Sequence, residues 1–82
     1  MNNFIKKPVG VKKVWQKAPD VDGFVVSLDD GKVVEISRTE WNTEDNKRRV
    51  GNELYFSLRN GDEIYFSQER ERDVNGLFRI NS

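Results

Sequence analysis

The chain contains the segment Phe24-Val-Val-Ser-Leu-Asp-Asp-Gly-Lys-Val-Val-Glu-Ile-Ser37 and, thirty positions later, the similar segment Leu54-Tyr-Phe-Ser-Leu-Arg-Asn-Gly-Asp-Glu-Ile-Tyr-Phe-Ser67. Four of the fourteen positions are identical, and most of the others match in character. Each segment consists of two runs of alternating apolar residues around a Gly-containing turn, which predicts a β-hairpin. The alternative is chance similarity between two amphipathic hairpins, because strands share a common composition.

The length of each hairpin loop follows from the positions of the apolar residues. Residues that face each other in an antiparallel pair point to the same side of the sheet. In the second copy a two-residue loop would pair Phe56 with Tyr65 and place the apolar residues of the two strands on opposite faces. A three-residue loop pairs Phe56 with Ile64 instead, as a type I turn followed by Gly61 at positive φ. The same argument predicts the loop Asp29-Asp30-Gly31 in the first copy.

These registers define one apolar face of the predicted sheet. At roughly 1.5–3 kcal/mol for each buried side chain, its ten residues are an adequate core for a small domain. They are Phe24, Val26, Leu28, Val34, Ile36, Leu54, Phe56, Leu58, Ile64 and Phe66.

Two further strands are expected outside the hairpins. Alternation from Val9 to Lys17 predicts a strand with Val11 and Trp15 on one side and Val14 on the other. A turn signal near the end of the chain predicts a short strand over Leu77–Ile80.

The segment between the two copies is polar. Thr43 is expected to cap a short helix from Glu44 to about Arg49, or else a loop, and Trp41 is expected to anchor this insert to the core. The predicted fold is mainly β: a small antiparallel barrel or curved sheet of about six strands, built on two similar β-hairpins, with one short helix or loop insert. Residues 1–82 form a single β-rich domain, in which 1–8 are a candidate flexible basic tail.

The residue types that are missing exclude most catalytic chemistry. The chain has 14 basic and 14 acidic residues, and it contains neither Cys nor His. Thiolate nucleophiles, Cys zinc sites and His general bases are therefore excluded. Ser27 and Ser57 have no His to activate them, and Asp20-Val-Asp22-Gly23 lacks the distal ligands of a calcium loop. We expect no enzymatic activity, no cofactor and no bound metal.

The hydropathy of the chain predicts a protein that does not enter membranes. No apolar run approaches the roughly 20 residues of a membrane span. Residues 1–10 lack the apolar core of a signal peptide. We expect a cytoplasmic location.

The first part of the chain is basic and contains an aromatic residue. Such a segment could follow a phosphate backbone and stack a base. The alternative is an edge strand whose lysines prevent edge-to-edge pairing, and the acidic residues of 20–46 favour this alternative because they would repel nucleic acid. The candidate nucleic-acid-binding residues are Lys6, Lys7, Lys12, Lys13, Trp15 and Lys17.

The face of the hairpins that points away from the predicted core is unusually apolar. With the registers above, Tyr55 faces Tyr65 on this side of the second hairpin, and Val25 and Val33 lie on this side of the first. Tyr enrichment in an apolar patch is typical of protein interfaces. Two alternatives remain open: the face is a partner surface, or it is covered by the N-terminal strand through Trp15.

Two charged segments are candidates for steering a partner. Lys47-Arg48-Arg49 is a cluster of three cations, and Glu69-Arg-Glu-Arg-Asp73 alternates in sign. On a strand, Arg70 and Arg72 would share one side of the latter segment. Such a strip could dock a partner electrostatically, or it could be a solvated connector, because exposed ion pairs contribute little stability.

Several motifs occur in a characteristic order: Val25-Val-Ser-Leu-Asp-Asp-Gly-Lys32, Trp41, Ile64-Tyr-Phe66 and Asp73-Val-Asn-Gly-Leu-Phe78. This order resembles a bacterial domain-of-unknown-function family of short β-rich proteins. The family pattern runs L-x-V-x-L-x-D-G, a Trp before a small helical insert, I-x-W-P, and an acidic turn near a terminal G-L-L. In this chain Phe66-Ser67 stands in place of W-P. The resemblance covers about residues 22–78. It implies the β-rich fold and no catalytic activity. It also implies that the protein acts as a small binding partner of another protein, as antitoxins do in some settings.

These observations together predict a non-enzymatic binding protein that associates stoichiometrically with another protein or with a nucleoprotein complex. An antitoxin, an immunity protein, or an inhibitor encoded by a phage or mobile element would act in this way. Tyr55, Tyr65 and Trp15 would be the anchors of the interface. The alternatives are a nucleic-acid-binding small β-barrel that uses the basic N-terminal segment, and a homodimer that forms through the Tyr/Val face.

Overall fold

The computed structural model describes residues 7–18 and 22–79, which form a six-stranded sheet with two helices. The elements are β1 (Val9–Gln16), β2 (Gly23–Leu28), β3 (Val33–Ser37), α1 (Arg38–Asn42), a 3₁₀ turn (Glu44–Asn46), β4 (Lys47–Val50), β5 (Glu53–Ser57), β6 (Glu63–Phe66) and α2 (Gln68–Arg79). The strand order is β3-β2-β1-β6-β5-β4, and the sheet curves into a half-barrel. This architecture confirms the predicted mainly β fold. Residues 1–6 of the predicted tail lie outside the described residues.

Both predicted hairpins form, with the predicted registers. β2 pairs with β3 so that Val26 lies opposite Val34, and β5 pairs with β6 so that Phe56 lies opposite Ile64. The Gly residues that end the loops have positive φ, 91° at Gly31 and 93° at Gly61. The three-residue loops with a Gly in the left-handed region are therefore confirmed.

β1 lies at the centre of the sheet and joins the two hairpins. It pairs antiparallel with β2 and parallel with β6, so the sheet is mixed, whereas the sequence predicted antiparallel pairing alone. The prediction that Val11 and Trp15 share one side of β1 is wrong. A bulge at Lys12 interrupts the alternation, so that Val11 and Val14 both pack against the core and Trp15 points to the other side.

The insert between the hairpins differs from its prediction. Instead of a helix over 44–49, a short helix begins after Ser37, whose hydroxyl accepts the Glu40 amide at 3.1 Å. The Glu40 carboxylate in turn accepts a hydrogen bond from the Ser37 amide, which completes a capping box. Lys47–Val50 then forms β4, because Gly51 with φ 62° starts a tight turn into β5. Trp41 is buried in the core, as predicted.

Residues 68–79 form a helix in place of the predicted short strand over Leu77–Ile80, whose last residue lies outside the described residues. The hydroxyl of Ser67 accepts the Arg70 amide at 3.2 Å and caps α2. Val74, Leu77 and Phe78 have the helical spacing that brings them onto the core. Neither helix in the described part of the chain has the length and apolar character needed to span a bilayer.

The core lies between the inner face of the half-barrel and the two helices. All ten residues of the predicted apolar face belong to the core or pack against it. Trp41 is the centre of an aromatic cluster, with ring centroids 5.4 Å from Phe24, 5.6 Å from Phe56 and 5.1 Å from Phe66. The helices thus cover the inner face of the sheet and leave its opposite face without a helix.

Candidate functional site

The sheet face opposite the core carries every large hydrophobic side chain that is exposed within 7–18 and 22–79. These are Trp15 at 41%, Val33 at 60% and Val50 at 44%. We term this face the outer face. It comprises Lys13 and Trp15 of β1, Val25 and Ser27 of β2, Val33 and Glu35 of β3, Arg48 and Val50 of β4, Glu53, Tyr55 and Ser57 of β5, and Glu63 and Tyr65 of β6.

The register of the strands places the three exposed residues on the same side. Trp15 pairs with Val25, and Val33 pairs with Ser27. Val25 and Ser27 alternate along β2 with the residues that point into the core. Val50 lies on β4, opposite Glu53, which alternates with the core residues of β5. The apolar side chains therefore extend from one edge of the sheet to the other.

A tyrosine pair occupies the half of the outer face that the second hairpin forms. Tyr55 and Tyr65 pair across β5 and β6, with ring centroids 5.4 Å apart and ring planes at 30°. The Arg48 guanidinium carbon lies 5.0 Å from the centroid of the Tyr55 ring. Arg48 also donates two hydrogen bonds to the Glu63 carboxylate, at 3.1 and 3.0 Å. These contacts orient the guanidinium over the Tyr55 ring, in a geometry typical of cation–π interactions.

The half of the outer face that the first hairpin forms is partly covered. Val25 is only 6% exposed, and it lies between Trp15 of β1 and Glu35 of β3. The Lys17 ammonium and the Glu35 carboxylate form an ion pair at 3.0 Å beside it. The N-terminal strand therefore covers Val25, but Trp15, Val33 and the tyrosine pair remain accessible to a partner.

The other predicted steering charges lie elsewhere. Lys47 points to the inner side, where its ammonium lies 4.7 Å from the centroid of the Trp41 ring. Arg49 donates two hydrogen bonds to the Glu71 carboxylate of α2, at 2.9 and 2.8 Å, and this contact raises the pKa of the Arg49 guanidinium. Only Arg48 of this cluster contributes to the outer face, because side chains alternate along β4.

The alternating charges of 69–73 lie on a helix and not on a strand. Arg70 pairs with Glu69 at 3.5 Å and with Asp73 at 3.3 Å, and it donates to the Lys12 carbonyl at 3.5 Å. Arg72 is exposed on the same helix. The predicted strip along one strand edge does not form, and Arg72 lines a shallow depression with Asn52 and Glu53 at the end of the β4–β5 hairpin.

The basic N-terminal residues are divided between environments. Lys13 lies on the outer face opposite Ser27, whereas Lys12 is the bulge residue of β1. Lys17 is engaged by Glu35. Lys7 is exposed at the start of the described chain, and Lys6 lies outside the described residues. The structure therefore brings Lys13 and Trp15 together, without a continuous row of cations.

Two features of the site were not predicted from the sequence. Val50 was not predicted to be a face residue, because β4 was assigned to a helix. The signal that would have found it is the Gly51-Asn52 pair, which is typical of a two-residue hairpin turn. The contact of Arg48 with Glu63 joins residues fifteen positions apart, and it depends on the same missed strand.

The outer face carries groups that are suited to binding another molecule. It offers rigid aromatic side chains, flat apolar area and one oriented guanidinium, which are the groups that dominate protein interfaces. In the described ranges no three acidic side chains cluster in a way that could hold a metal ion. Ser27 has a buried hydroxyl with no hydrogen-bond partner in the structure, but no base lies opposite it on β1 or β3 other than Lys13.

Comparison of the chain with known proteins assigns no relatives. No protein-family model matches it, no characterised protein matches it, and no solved structure matches it. The resemblance to the bacterial domain-of-unknown-function family therefore stays a prediction.

Proposed function

We propose that this protein acts by binding another protein stoichiometrically through its outer face. The observation that carries the proposal is that Trp15, Val33 and Val50 are all exposed on one side of the sheet. Single exposed apolar residues are ordinary, but their collection on one face beside an aromatic pair is typical of an interaction site. Tyr55 and Tyr65 would be the central anchors, because aromatic side chains carry much of the binding energy at interfaces.

The charge distribution of the outer face favours a protein partner over nucleic acid. Arg48 is neutralised by Glu63, and Lys17 is neutralised by Glu35. A surface that binds a phosphate backbone needs cations that can replace counterions. Of the two cations that the described strands place on this face, Arg48 forms an ion pair and Lys13, opposite Ser27, does not. Mixed charge around an apolar centre fits the rim of a protein interface instead.

An antitoxin, an immunity protein or an inhibitor of phage or mobile-element origin would act in this manner. Each works by occupying a surface of its target, so it needs a stable fold and a binding surface but no catalytic group. A one-to-one complex is the expected product. Homodimerisation through the same face is the competing outcome, since self-association would bury the same apolar residues.

The test is affinity capture from lysate of the native host with the wild-type chain and with the double variant Tyr55→Thr and Tyr65→Thr. Threonine keeps a high strand propensity, so the sheet is retained. The matched control is Asn75→Thr, which changes an exposed residue on α2, away from the outer face. We expect a stoichiometric partner that the wild type and the Asn75 variant capture and that the double variant loses.

Three results would contradict the proposal. The first is capture of the same partner by a folded double variant. The second is loss of capture after nuclease treatment, which would favour the nucleic-acid alternative. The third is a dimer of the isolated wild-type chain in light scattering that the double variant converts to a monomer.

A further inference from the structure

The half-barrel is open, and its two edges differ in their protection. β3 and β4 are the outermost strands, so each presents one row of backbone groups that no described strand meets. A row of this kind is a template for another extended chain. Natural edges are usually blocked by charged side chains, by proline or by very short strands.

The β4 edge is blocked in this way. β4 has four residues, and three of them are cationic. Arg48 and Arg49 point to opposite faces, and each is held in a two-fold hydrogen-bonded contact with a carboxylate, Glu63 on one side and Glu71 on the other. A strand that added to β4 would have to accommodate these fixed charges on both faces.

The β3 edge is less protected, since Glu35 is its one charged residue. β3 runs over Val33–Ser37 and contains no Lys, Arg or Pro. Val33 is 60% exposed, and the Glu35 side chain is 62% exposed. Of the two edges of the sheet, the β3 edge is therefore the more accessible.

Two hydrogen bonds at the ends of the first hairpin establish which backbone groups of β3 point outward. The Leu28 amide donates to the Lys32 carbonyl at 2.8 Å, and the Arg38 amide donates to the Asp22 carbonyl at 3.0 Å. Hydrogen-bonded and non-hydrogen-bonded pairs alternate in an antiparallel ladder, so the even-numbered residues of β3 bond to β2. The backbone groups of Val33 and Glu35 consequently point to the open edge.

The next outward group along the strand is already satisfied. The Ser37 amide donates to the Glu40 carboxylate at 3.1 Å, as part of the cap of α1. This contact agrees with the outward direction of the odd-numbered residues. It also limits the open edge to Val33 and Glu35, whose amides and carbonyls can pair with about three residues of an added chain.

We propose that β3 accepts an extended segment of the partner protein as a seventh strand of the sheet. This inference rests on the proposed function, because it names the part of the partner that binds. Side chains of the added strand would alternate between the two faces. On the outer face, an apolar residue would lie beside Val33 and a basic residue, two positions away, beside Glu35. The Glu35 carboxylate can take this second cation, because only one of its oxygens accepts the Lys17 ammonium.

The residue between these two would point to the inner side, beside Val34. A groove with a volume of about 630 Å³ opens there, at the end of the sheet where both hairpin loops lie. Its lining is mixed: Val9, Leu28, Val34, Leu58 and Ile64 supply aliphatic surface, and Lys7, Asp30, Lys32, Asn60, Asp62 and Glu63 supply polar and charged groups. An aliphatic side chain of the added strand would fit this groove, so the expected motif is apolar, aliphatic, basic, in either chain direction.

A second copy of this chain is a poorer occupant of the edge. In a symmetric antiparallel pair centred on Glu35, the two Glu35 carboxylates would lie directly opposite each other, which is destabilising. In a pair centred on Val34, each Glu35 would lie opposite Val33 and would gain no cation. The charge of the edge therefore favours a foreign strand with a basic residue.

The test uses the acetylated and amidated peptide Thr-Arg-Leu-Val-Leu-Arg-Thr, which presents the motif in both directions. We expect titration of the labelled protein to shift the backbone amide resonances of Val33–Ser37 and of the groove residues. A peptide of this size that adds one strand should bind with a dissociation constant of about 1 mM or tighter. The same peptide with N-methylated Arg, Leu and Val residues should bind about tenfold more weakly, because the strand hydrogen bonds are then lost in either chain direction.

Variants of Val33 separate backbone pairing from side-chain contact. Val33→Pro removes an amide that points to the open edge and leaves the ladder to β2 intact, and proline is tolerated on edge strands. We expect it to weaken peptide binding about tenfold, whereas Val33→Thr, which keeps the amide, should change binding less than about threefold. If the proline variant does not fold, the N-methylated peptide tests the same hydrogen bonds.

The proposal is overturned by absence of peptide binding, by equal binding of the N-methylated peptide, or by resonance shifts confined to β4 or to the tyrosine pair. These outcomes are independent of the capture experiment. A Tyr55 and Tyr65 variant that loses its partner while a Val33→Pro variant keeps it would retain the proposed function and remove the seventh strand. Peptide pairing at β3, together with unchanged capture by the Tyr55 and Tyr65 variant, would retain the seventh strand and remove the proposed role of the tyrosine pair.

Discussion

Gly10 and Tyr65 form a close contact across the parallel pair of β1 and β6. They lie opposite each other in the register, and a Cβ atom at Gly10 would be 3.0 Å from both Cζ and the hydroxyl oxygen of Tyr65. It would also be 2.5 Å from a carboxylate oxygen of Asp29. The Tyr65 ring can therefore lie against the sheet and beside Tyr55 only because position 10 has no side chain.

The first prediction concerns Gly10→Ala. The added methyl group must displace the Tyr65 ring and the Asp29 carboxylate, and both can move because they are the ends of flexible side chains. We expect a loss of about 1 kcal/mol or less in the free energy of unfolding, together with a shift of the tyrosine pair. Denaturant unfolding measures the first effect, and the Tyr65 ring resonances and partner capture measure the second.

Gly23→Ala is the matched control for this prediction. A Cβ atom at Gly23 would be 2.8 Å from the Ile36 carbonyl oxygen, which belongs to the backbone of β3 and cannot move alone. We expect a larger stability loss of about 1–3 kcal/mol, with the tyrosine pair unchanged. If Gly10→Ala left the Tyr65 resonances in place, the contact described here would be incorrect.

The second prediction tests the hairpin loops. Gly61 has φ 93° and open space where a Cβ atom would lie, so only the backbone conformation opposes a side chain there. Gly61→Ala should lower the free energy of unfolding by about 1–2 kcal/mol. Gly61→Asn should cost less, because Asn tolerates the left-handed region. Equal losses for the two variants in urea titrations would argue against the left-handed conformation.

The hairpins could be predicted because the residues that determine their loops and registers are close together in the sequence. Each loop has a Gly at the position that requires positive φ, and the apolar residues on both strands agree with only one register. The tyrosine pair followed from the same register, since Tyr55 and Tyr65 occupy paired positions that alternate with the core residues. Local turn chemistry and strand alternation were thus sufficient for this part of the site.

The elements that were predicted incorrectly, β4 and α2, depend on contacts between distant parts of the chain. β4 consists mostly of cations and has no apolar alternation, and it is a strand because it pairs with β5 and forms ion pairs with Glu63 and Glu71. α2 contains Asn75-Gly76, which is a turn signal in isolation. The Ser67 cap and the burial of Val74 outweigh that signal.

The bulge in β1 shows why the outer face could not be completed from the sequence. One additional residue at Lys12 reverses the direction of all later side chains, so Trp15 leaves the side of Val11. Nothing in the residue type of Lys12 indicates this insertion. It follows from pairing with β2, in which Val11 and Val14 both meet core residues, Leu28 and Val26.

The third prediction distinguishes the two tryptophans. Trp15 is 41% exposed on the outer face, whereas Trp41 is 3% exposed among the core aromatics. In Trp41→Phe the remaining emission from Trp15 should be quenched readily by iodide, and in Trp15→Phe the emission from Trp41 should be protected. Partner binding should protect Trp15 and leave Trp41 unchanged. Similar quenching of both residues would contradict the assignment of the two faces.

The fourth prediction compares two glycines that both have open space where a Cβ atom would lie. Gly76 is inside α2 with ordinary helical backbone, and Gly51 has φ 62° in the turn between β4 and β5. Gly76→Ala should raise the free energy of unfolding by about 0.5–1 kcal/mol, because alanine loses less conformational entropy in a helix. Gly51→Ala should lower it by about 1–2 kcal/mol, because the turn needs a left-handed residue.

The sign of the two changes is the measured quantity in this comparison, and thermal unfolding of both variants beside the wild type is sufficient to obtain it. A stabilised Gly76 variant would establish that α2 continues through the Asn75-Gly76 pair, which brings Leu77 and Phe78 onto the core. A destabilised Gly76 variant would instead favour a turn at this position. The core would then lose the Phe78 ring, which lies 5.8 Å from Phe24.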